Sequence, residues 1–211
     1  MKKIFTPLFA LLTCGLFVTG CKTSVGISSS TPNRSIVVLY DNDAHCGIEG
    51  YAKMAGMRDA IADTAWTAVV SSGDYLQGGT AGAISKGQYI IDVMKHVGYD
   101  AVTLGNHEFD YKMDRMFELL GQLNAPVVNA NLFDLATDKL VFSPYIIKTF
   151  GKKKVAFVGA TTPTTLETES YAFYDAQGNS RYDLKPAQVY SLVQQAVDDA
   201  RQNGADYVVM I

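Results

Sequence analysis

Three short apolar runs, each breaking off into a cluster of Asp, Asn, His and Gly, constrain this chain more than any other feature of its 211 residues. Ser35-Ile36-Val37-Val38-Leu39-Tyr40 leads into Asp41-Asn42-Asp43-Ala44-His45. Trp66 to Val70 leads into Ser71-Ser72-Gly73-Asp74, and Ala101-Val102-Thr103-Leu104 into Gly105-Asn106-His107-Glu108-Phe109-Asp110. Short β-branched runs bounded by turn residues read as strands. Between them lie segments of helical spacing: Tyr51 to Asp63, with Met54, Met57 and Ile61 at i, i+3 and i+7, and Tyr89 to Val97, with Ile90, Ile91, Met94 and Val97 on one face. Met113 to Leu123 continues as a helix. Val127-Val128, Tyr145 to Ile147 and Val155 to Val158 read as strands, Ala187 to Asn203 as a helix, and Tyr207 to Ile211 as a further strand. Such alternation predicts an α/β fold with a mainly parallel sheet and right-handed crossovers.

Composition narrows the function classes. Hydrophobic residues make up 48% and charged residues 18%, enough apolar material for a buried core. Eighteen Lys and Arg against 21 Asp and Glu give a formal charge of −3, which excludes a generic binder of nucleic-acid polymers. Three cysteines and three histidines are too few for a disulfide scaffold or a His/Cys zinc array.

The N-terminus reads as a targeting segment. Met1-Lys2-Lys3 precedes an apolar stretch from Ile4 to Val18, shorter than the roughly 20 residues that span a bilayer. Val18-Thr19-Gly20-Cys21 resembles the lipobox of bacterial lipoproteins, in which the chain is cut before an acylated cysteine. Residues 1–20 are thus expected to be a lipoprotein signal peptide and residues 21–34 a lipidated Cys21 with a polar, flexible tether. Residues 35–211 are expected to be the folded domain. A secretory signal with a coincidental cysteine is the simpler alternative. The lipoprotein reading places the protein in the cell envelope, membrane-anchored and facing the periplasm or the exterior. Because Cys14 leaves with the signal and Cys21 carries lipid, Cys46 remains without a disulfide partner and is expected to be a small buried thiol. The apolar run from Tyr207 continues to the last residue with no turn signal, which suggests a fold incomplete at its C-terminus; a terminal strand is the alternative.

The strand ends carry the chemistry. Ligands of open α/β sheets gather outside the carboxyl ends of the strands. In an extended segment residues i and i+2 face one side, so Asp43 and His45 can reach one ion. Asp74 follows Gly73, where a tight turn can lift one carboxylate above the sheet edge, and a single carboxylate can bridge two cations. Asn106 offers a neutral oxygen. Taken singly, an aspartate at a strand end more often caps the next helix and a lone histidine more often belongs to the core. Three ligand-bearing strand ends in order, with about 30 residues between each, favour a metal centre instead.

The segments Asn42-Asp43-Ala44-His45, Gly73-Asp74-Tyr75-Leu76-Gln77-Gly78-Gly79 and Gly105-Asn106-His107-Glu108-Phe109-Asp110 resemble the first motifs of the calcineurin-like metallophosphoesterases. The last is similar to the 5′-nucleotidase and UDP-sugar hydrolase branch, as are Asn129-Ala130-Asn131-Leu132 and Gly159-Ala160-Thr161-Thr162-Pro163. The resemblance runs from Ile36 to Ile211. It implies a sandwich of mixed sheets flanked by helices and a site for two divalent metal ions, with Mn, Zn, Co, Fe and Mg not distinguished by ligand type. Asp43 and His45 would bind the first ion, Asp74 would bridge both, and Asn106 would bind the second. His107 would act on the phosphoryl group, oriented by Asp110, while water activated between two cations attacks phosphorus in line.

The family's remaining histidine ligands and its C-terminal nucleotide-binding domain have no counterpart among these residues, whose histidines are His45, His96 and His107. His96 matches no motif and is expected at an exposed helix end. The resulting expectation is the N-terminal part of a lipid-anchored hydrolase that releases phosphate from nucleotides or nucleotide sugars. The chain by itself would then bind metal weakly and show little or no activity. The alternative is a non-catalytic, lipid-anchored binding or assembly module that retains the fold. Lys152-Lys153-Lys154 is expected to form a solvated turn, and Gly78-Gly79-Thr80 with Gly82 reads either as a phosphate cradle or as a flexible loop beside Asp74.

Overall fold

A computed structural model describes residues 34–211, which pack as one compact unit. The signal-peptide and Cys21 readings fall on residues outside the described range. The first β-branched run forms β1 (Ser35–Asp41), which pairs in parallel with β2 (Ala65–Ser71) from Ser35↔Ala65 to Asp41↔Ser71. β3 (Ala101–Val102) joins the other edge of β2 in parallel. The ladder pairing ends at Val102, although Thr103 N–H still donates to the Ser71 carbonyl at 2.9 Å. The Thr103 hydroxyl donates to the Val128 carbonyl, and the Leu104 carbonyl accepts from the Thr161 hydroxyl.

Alternation along β2 directs successive side chains to opposite faces. Val69 packs with Ile90, Ile91 and Met94 of one helix and Met116 and Leu119 of another, whereas Ala68 and Val70 pack against Phe150, Val155 and Phe157. The helices are α1 (Ile48–Ile61), α2 (Gly79–Ser85), α3 (Gln88–Val97) and α4 (Lys112–Leu120). In α3, Ile90, Ile91, Met94 and Val97 are all buried, as the spacing predicts. The expected face of α1 is weaker: Tyr51 is its buried residue and Met57 is exposed. The Gly-rich α2 lies where the sequence suggested a loop. Its formation rests on a tertiary contact, because a Cβ on Gly82 would fall 2.5 Å from the Cys46 sulfur.

Beyond α4, β4 (Phe133–Asp134) pairs antiparallel with β5 (Lys139–Leu140) and β8 (Tyr182–Asp183). β6 (Tyr145–Phe150) and β7 (Lys153–Val158) form an antiparallel hairpin, and β9 (Tyr207–Met210) adds to β7 in parallel. The parallel pairing predicted from alternation therefore holds in β1–β2–β3, whereas β6–β7–β9 is mixed and β5–β4–β8 antiparallel. The reason is a short connection: Gly151-Lys152 joins β6 to β7, and two residues can form a hairpin but not a crossover. Lys153 and Lys154 belong to β7 rather than to the turn, and Lys153 pairs with Asp206 at 2.8 Å. Val127 and Val128 make isolated bridges to Val102 and Ser143 instead of a strand of their own.

Ile146, Val209 and Ile211 join Phe157 and Val155 against β1 and β2, so the two sheets pack face to face. On the far side Ala156, Val158 and Val208 pack against Ala196 and Ala200 of α6 (Val189–Gln202), α5 being the single turn Thr165–Thr168. The order is helices, sheet, sheet, helix: the flanked sandwich implied by the resemblance. Among the described residues no helix is long and apolar enough to cross a membrane.

One core residue ties this architecture to the polar loops. Phe109 is fully buried and packs on Phe173 with ring centroids 4.9 Å apart, inside the motif that carries His107 and Asp110. Phe109→Ala is expected to destabilise the fold by about 3–5 kcal/mol, measured by denaturant unfolding of the chain.

Candidate metal centre

The polar strand ends meet at one edge of the first sheet. Asp43, His45, Cys46 and Asp74 all have positive φ, between 43° and 60°, so the loops coil back rather than extend. The expectation that Asp43 and His45 share a side because the segment is extended is therefore corrected in its reason but not in its result. His45 Nε2 lies 2.8 Å from Asp43 Oδ1. The loops are tied through the backbone: Asp43 N–H donates to the Gly73 carbonyl at 3.1 Å and His45 N–H to the Asp74 carbonyl at 2.9 Å. Gly73 sits at φ 104°, and a Cβ there would fall 2.1 Å from the Gly105 nitrogen. A Cβ on Gly105 would in turn fall 2.2 Å from Asp74 Oδ1, so two glycines are required for this closeness.

Glu108, to which sequence reading assigned no role, organises the junction. Its Oε2 accepts from Asp74 N–H at 2.8 Å and Gly105 N–H at 2.6 Å, and its Oε1 from Tyr75 and Leu76 N–H at 2.8 and 3.1 Å. The side chain is fully buried, and burial pushes its carboxyl up to about 7 against the opposing pull of these N–H donors. One acid thus satisfies four backbone donors from two loops. The signal for it was present in the sequence, as an acid wedged between His107 and the apolar Phe109.

Asp74 caps no helix. Its Oδ1 accepts from His107 N–H at 2.8 Å, and among the described residues its other oxygen has no protein partner. Asn106 precedes the 3₁₀ turn His107–Phe109, half-buried, its side chain making no hydrogen bond among the described residues. His107 Nδ1 faces Asp110 Oδ2 and Oδ1 at 3.2 and 3.3 Å, and its ring meets that of His45 edge-on with centroids 4.8 Å apart. Burial raises the Asp110 carboxyl; the His107 hydrogen bond and charge oppose this, and Glu169 adds to it.

Whether these residues suit a cation is decided by the histidine. Both partners of His45 Nδ1, the Gln77 carbonyl at 3.0 Å and Gln77 Oε1 at 3.2 Å, are acceptors, which assigns the ring proton to Nδ1. Nε2 faces the Asp43 carboxylate, also an acceptor, so a metal ion would take the place of a proton there, with Gln77 as the outer partner that orients the imidazole. Asp43 and His45 fit one divalent ion as a neighbouring oxygen and nitrogen pair. Among the described residues, the group of three His, Cys, Asp or Glu side chains whose ligand atoms lie within 4.8 Å of one another is His107, Asp110 and Glu169.

The other expectations have plain outcomes. His96 lies in the last turn of α3, exposed, bonded to the Asp92 carbonyl at 2.7 Å. Cys46 is half-buried, its thiol against the Tyr75 and Leu76 carbonyls and pushed up to about 11 by burial. Asn129 and Asn131 are fully buried struts: Asn129 bonds Thr161, and Asn131 bonds the Thr161 and Leu184 backbones.

Sheet-edge loops that gather carboxylates, imidazoles and an amide define the class of α/β proteins built around a polar, metal-type centre. Within it, this chain belongs to the calcineurin-like phosphoesterase family, which matches residues 39–209. Members of that family are hydrolytic phosphoesterases that use divalent metals. The chain is 26% identical over 205 residues to the 2′,3′-cyclic-nucleotide 2′-phosphodiesterase/3′-nucleotidase of Haemophilus influenzae, covering 88% of this chain and 30% of that one. It is 34% identical over 144 residues to a 5′-nucleotidase of Vibrio parahaemolyticus, covering 62% and 25%. The solved 5′-nucleotidase precursor of Thermus thermophilus superposes with a TM-score of 0.67 at 25% identity, covering 82% of this chain and 36% of that one. The chain thus spans less than a third of the length of these two curated relatives.

Two outcomes test the geometry. Glu108→Gln sets an amide donor against backbone N–H groups and is expected to cost about 1–3 kcal/mol in unfolding free energy. For His45, burial alone lowers its hold on a proton, but the Gln77 carbonyl, the Asp43 charge and the side-chain hydrogen bonds outweigh it and raise its pKa above the ordinary 6.5. Protons then compete with metal to a higher pH than for a free imidazole. Calorimetric titration with Mn²⁺ is expected to show affinity falling as pH drops through that raised value, with proton release on binding.

Proposed function

We propose that the chain carries the phosphoryl-transfer half of a metal-dependent hydrolase that releases phosphate from nucleotides by water attack. The observation that carries this reading is the convergence of Asp43–His45, Asp74 and His107–Asp110 on one sheet edge, in the order of the family's motifs. The relatives named above as nucleotidases and a cyclic-nucleotide phosphodiesterase support nucleotides as the substrate class. Nucleotide sugars belong to the same proposal on the strength of the motif alone.

In this reading Asp43 and His45 would hold one divalent ion, and Asp74 and Asn106 would contribute to the site of a second. Divalent ions bound there supply Lewis acidity, which acidifies water and neutralises phosphoryl oxygens. His107 presents its Nε2 to the phosphoryl group or the leaving oxygen while its Nδ1–H donates to Asp110. The carboxylate keeps the ring in one tautomer and aims it as negative charge develops on the substrate. Gln77 keeps Nε2 of His45 available as a ligand. Envelope attachment through Cys21 is part of the proposal, supported by the Val18–Cys21 pattern.

The test has two arms. The 211-residue chain is expected to bind about one Mn²⁺ and to hydrolyse AMP slowly or not at all. The protein isolated from its own cells is expected to hydrolyse AMP with added metal, and Asp74→Ala in that protein to lower the rate by roughly 100-fold or more. Metal-independent release of phosphate, or a rate unchanged by Asp74→Ala, overturns the reading.

A further inference from the structure

Glu169 is a buried acid that the motif assignments leave unused. It follows α5, is 8% exposed, and forms no ion pair with Lys or Arg among the described residues. One of its carboxylate oxygens lies in a cluster with a His107 ring nitrogen and an Asp110 carboxylate oxygen, all within 4.8 Å of one another. The Tyr171 hydroxyl lies 2.9 Å from Glu169 Oε2 and 3.2 Å from the Asp110 carbonyl. Glu169 thus fills space beside the imidazole–carboxylate pair, and a side chain held there limits the rotamers open to Asp110.

The restriction follows from the contacts. Asp110 is tethered through its own carbonyl to Tyr171, which is tethered to Glu169, and the Glu169 carboxyl lies against the Asp110 side chain. The space beside the Asp110 side chain is taken by the Glu169 carboxyl, whose own position the Tyr171 bond holds. Rotation toward His107 gains the bond at 3.2 Å. We propose that Glu169, fixed by Tyr171, is a positioning residue that holds the Asp110 carboxylate on His107 Nδ1 and so sets the tautomer and aim of the His107 ring. The inference rests on the reading of His107 and Asp110 as the acting pair. Glu169 lies 59 residues beyond Asp110, in a segment whose sequence carries no metal-type pattern. The trio could also be viewed as a cage for a cation. The donation from Tyr171 into Glu169 and from His107 Nδ1 into Asp110 makes it a hydrogen-bonded chain.

The experiment compares the full chain with its Glu169→Ala, Glu169→Gln and Tyr171→Phe variants by ¹⁵N NMR of the imidazoles. With three histidines the His107 signals are assigned by a His107→Gln control. The unaltered chain is expected to show a His107 Nδ1 proton protected from exchange. Glu169→Ala is expected to raise that exchange about tenfold, and Glu169→Gln, which keeps both the shape and a hydrogen-bonding group, to restore it. Tyr171→Phe moves it in the same direction as Ala and carries the test if Glu169→Ala does not fold. In the protein from its own cells, Glu169→Ala is expected to lower kcat about tenfold with KM within about twofold. A purely structural role would lower the melting temperature of folded variants and leave the His107 signal in place. That result, or Ala and Gln behaving alike, overturns the inference. Absence of turnover in the native protein would instead sink the hydrolase reading, while the imidazole spectra still decide the role of Glu169.

Discussion

Everything polar at this sheet edge depends on one buried carboxylate. Glu108 accepts hydrogen bonds from the backbones of Asp74, Tyr75, Leu76 and Gly105, which joins the loop after β2 to the loop after β3. Without it, four backbone donors would lie in a dry interior with nothing to accept them. The glycines at 73 and 105 permit the approach, Glu108 holds it, and Phe109 beside it anchors the turn in the core. Asp74, Asn106 and His107 are displayed from that junction rather than from the strands themselves.

The same logic separates residues that act from residues that support. Asp43, His45, Asp74, Asn106, His107 and Asp110 are half-buried or exposed and face one region, whereas Asn129, Asn131, Thr161 and Glu108 are buried and bond the backbone. Both sets lie in segments that resemble the phosphoesterase family. A motif therefore contains the struts of a site as well as its working groups, and only burial and bonding tell them apart. Gln77 and Glu169 form an intermediate set, each aimed at one histidine or its partner.

Much of the fold was legible in local pattern. The strands that became β1, β2, β7 and β9 and the buried face of α3 follow from β-branched runs and helical spacing, because their side chains meet their surroundings in a regular period. What was not legible depended on distant partners. β3 pairs over two residues only, α2 forms from a Gly-rich segment packed on Cys46, and β6 and β7 are antiparallel because two residues separate them. For the site, the residue types and their order were legible. The paired geometry of Asp43 and His45 came from left-handed loop residues that no extended-strand argument describes.

By itself, the sequence determined which chemistry these loops can carry: carboxylate, imidazole and amide groups at successive strand ends, with glycines beside them. Side-chain type and local spacing are one-dimensional properties, and they suffice for that. Only the tertiary structure decided which of these groups meet: Asp43 with His45, Asp74 with the His107 backbone, and Glu169 behind Asp110. Those contacts join residues far apart in the chain, and their closeness is set by packing of the sheets and by buried acceptors for loop N–H groups, which no local pattern encodes.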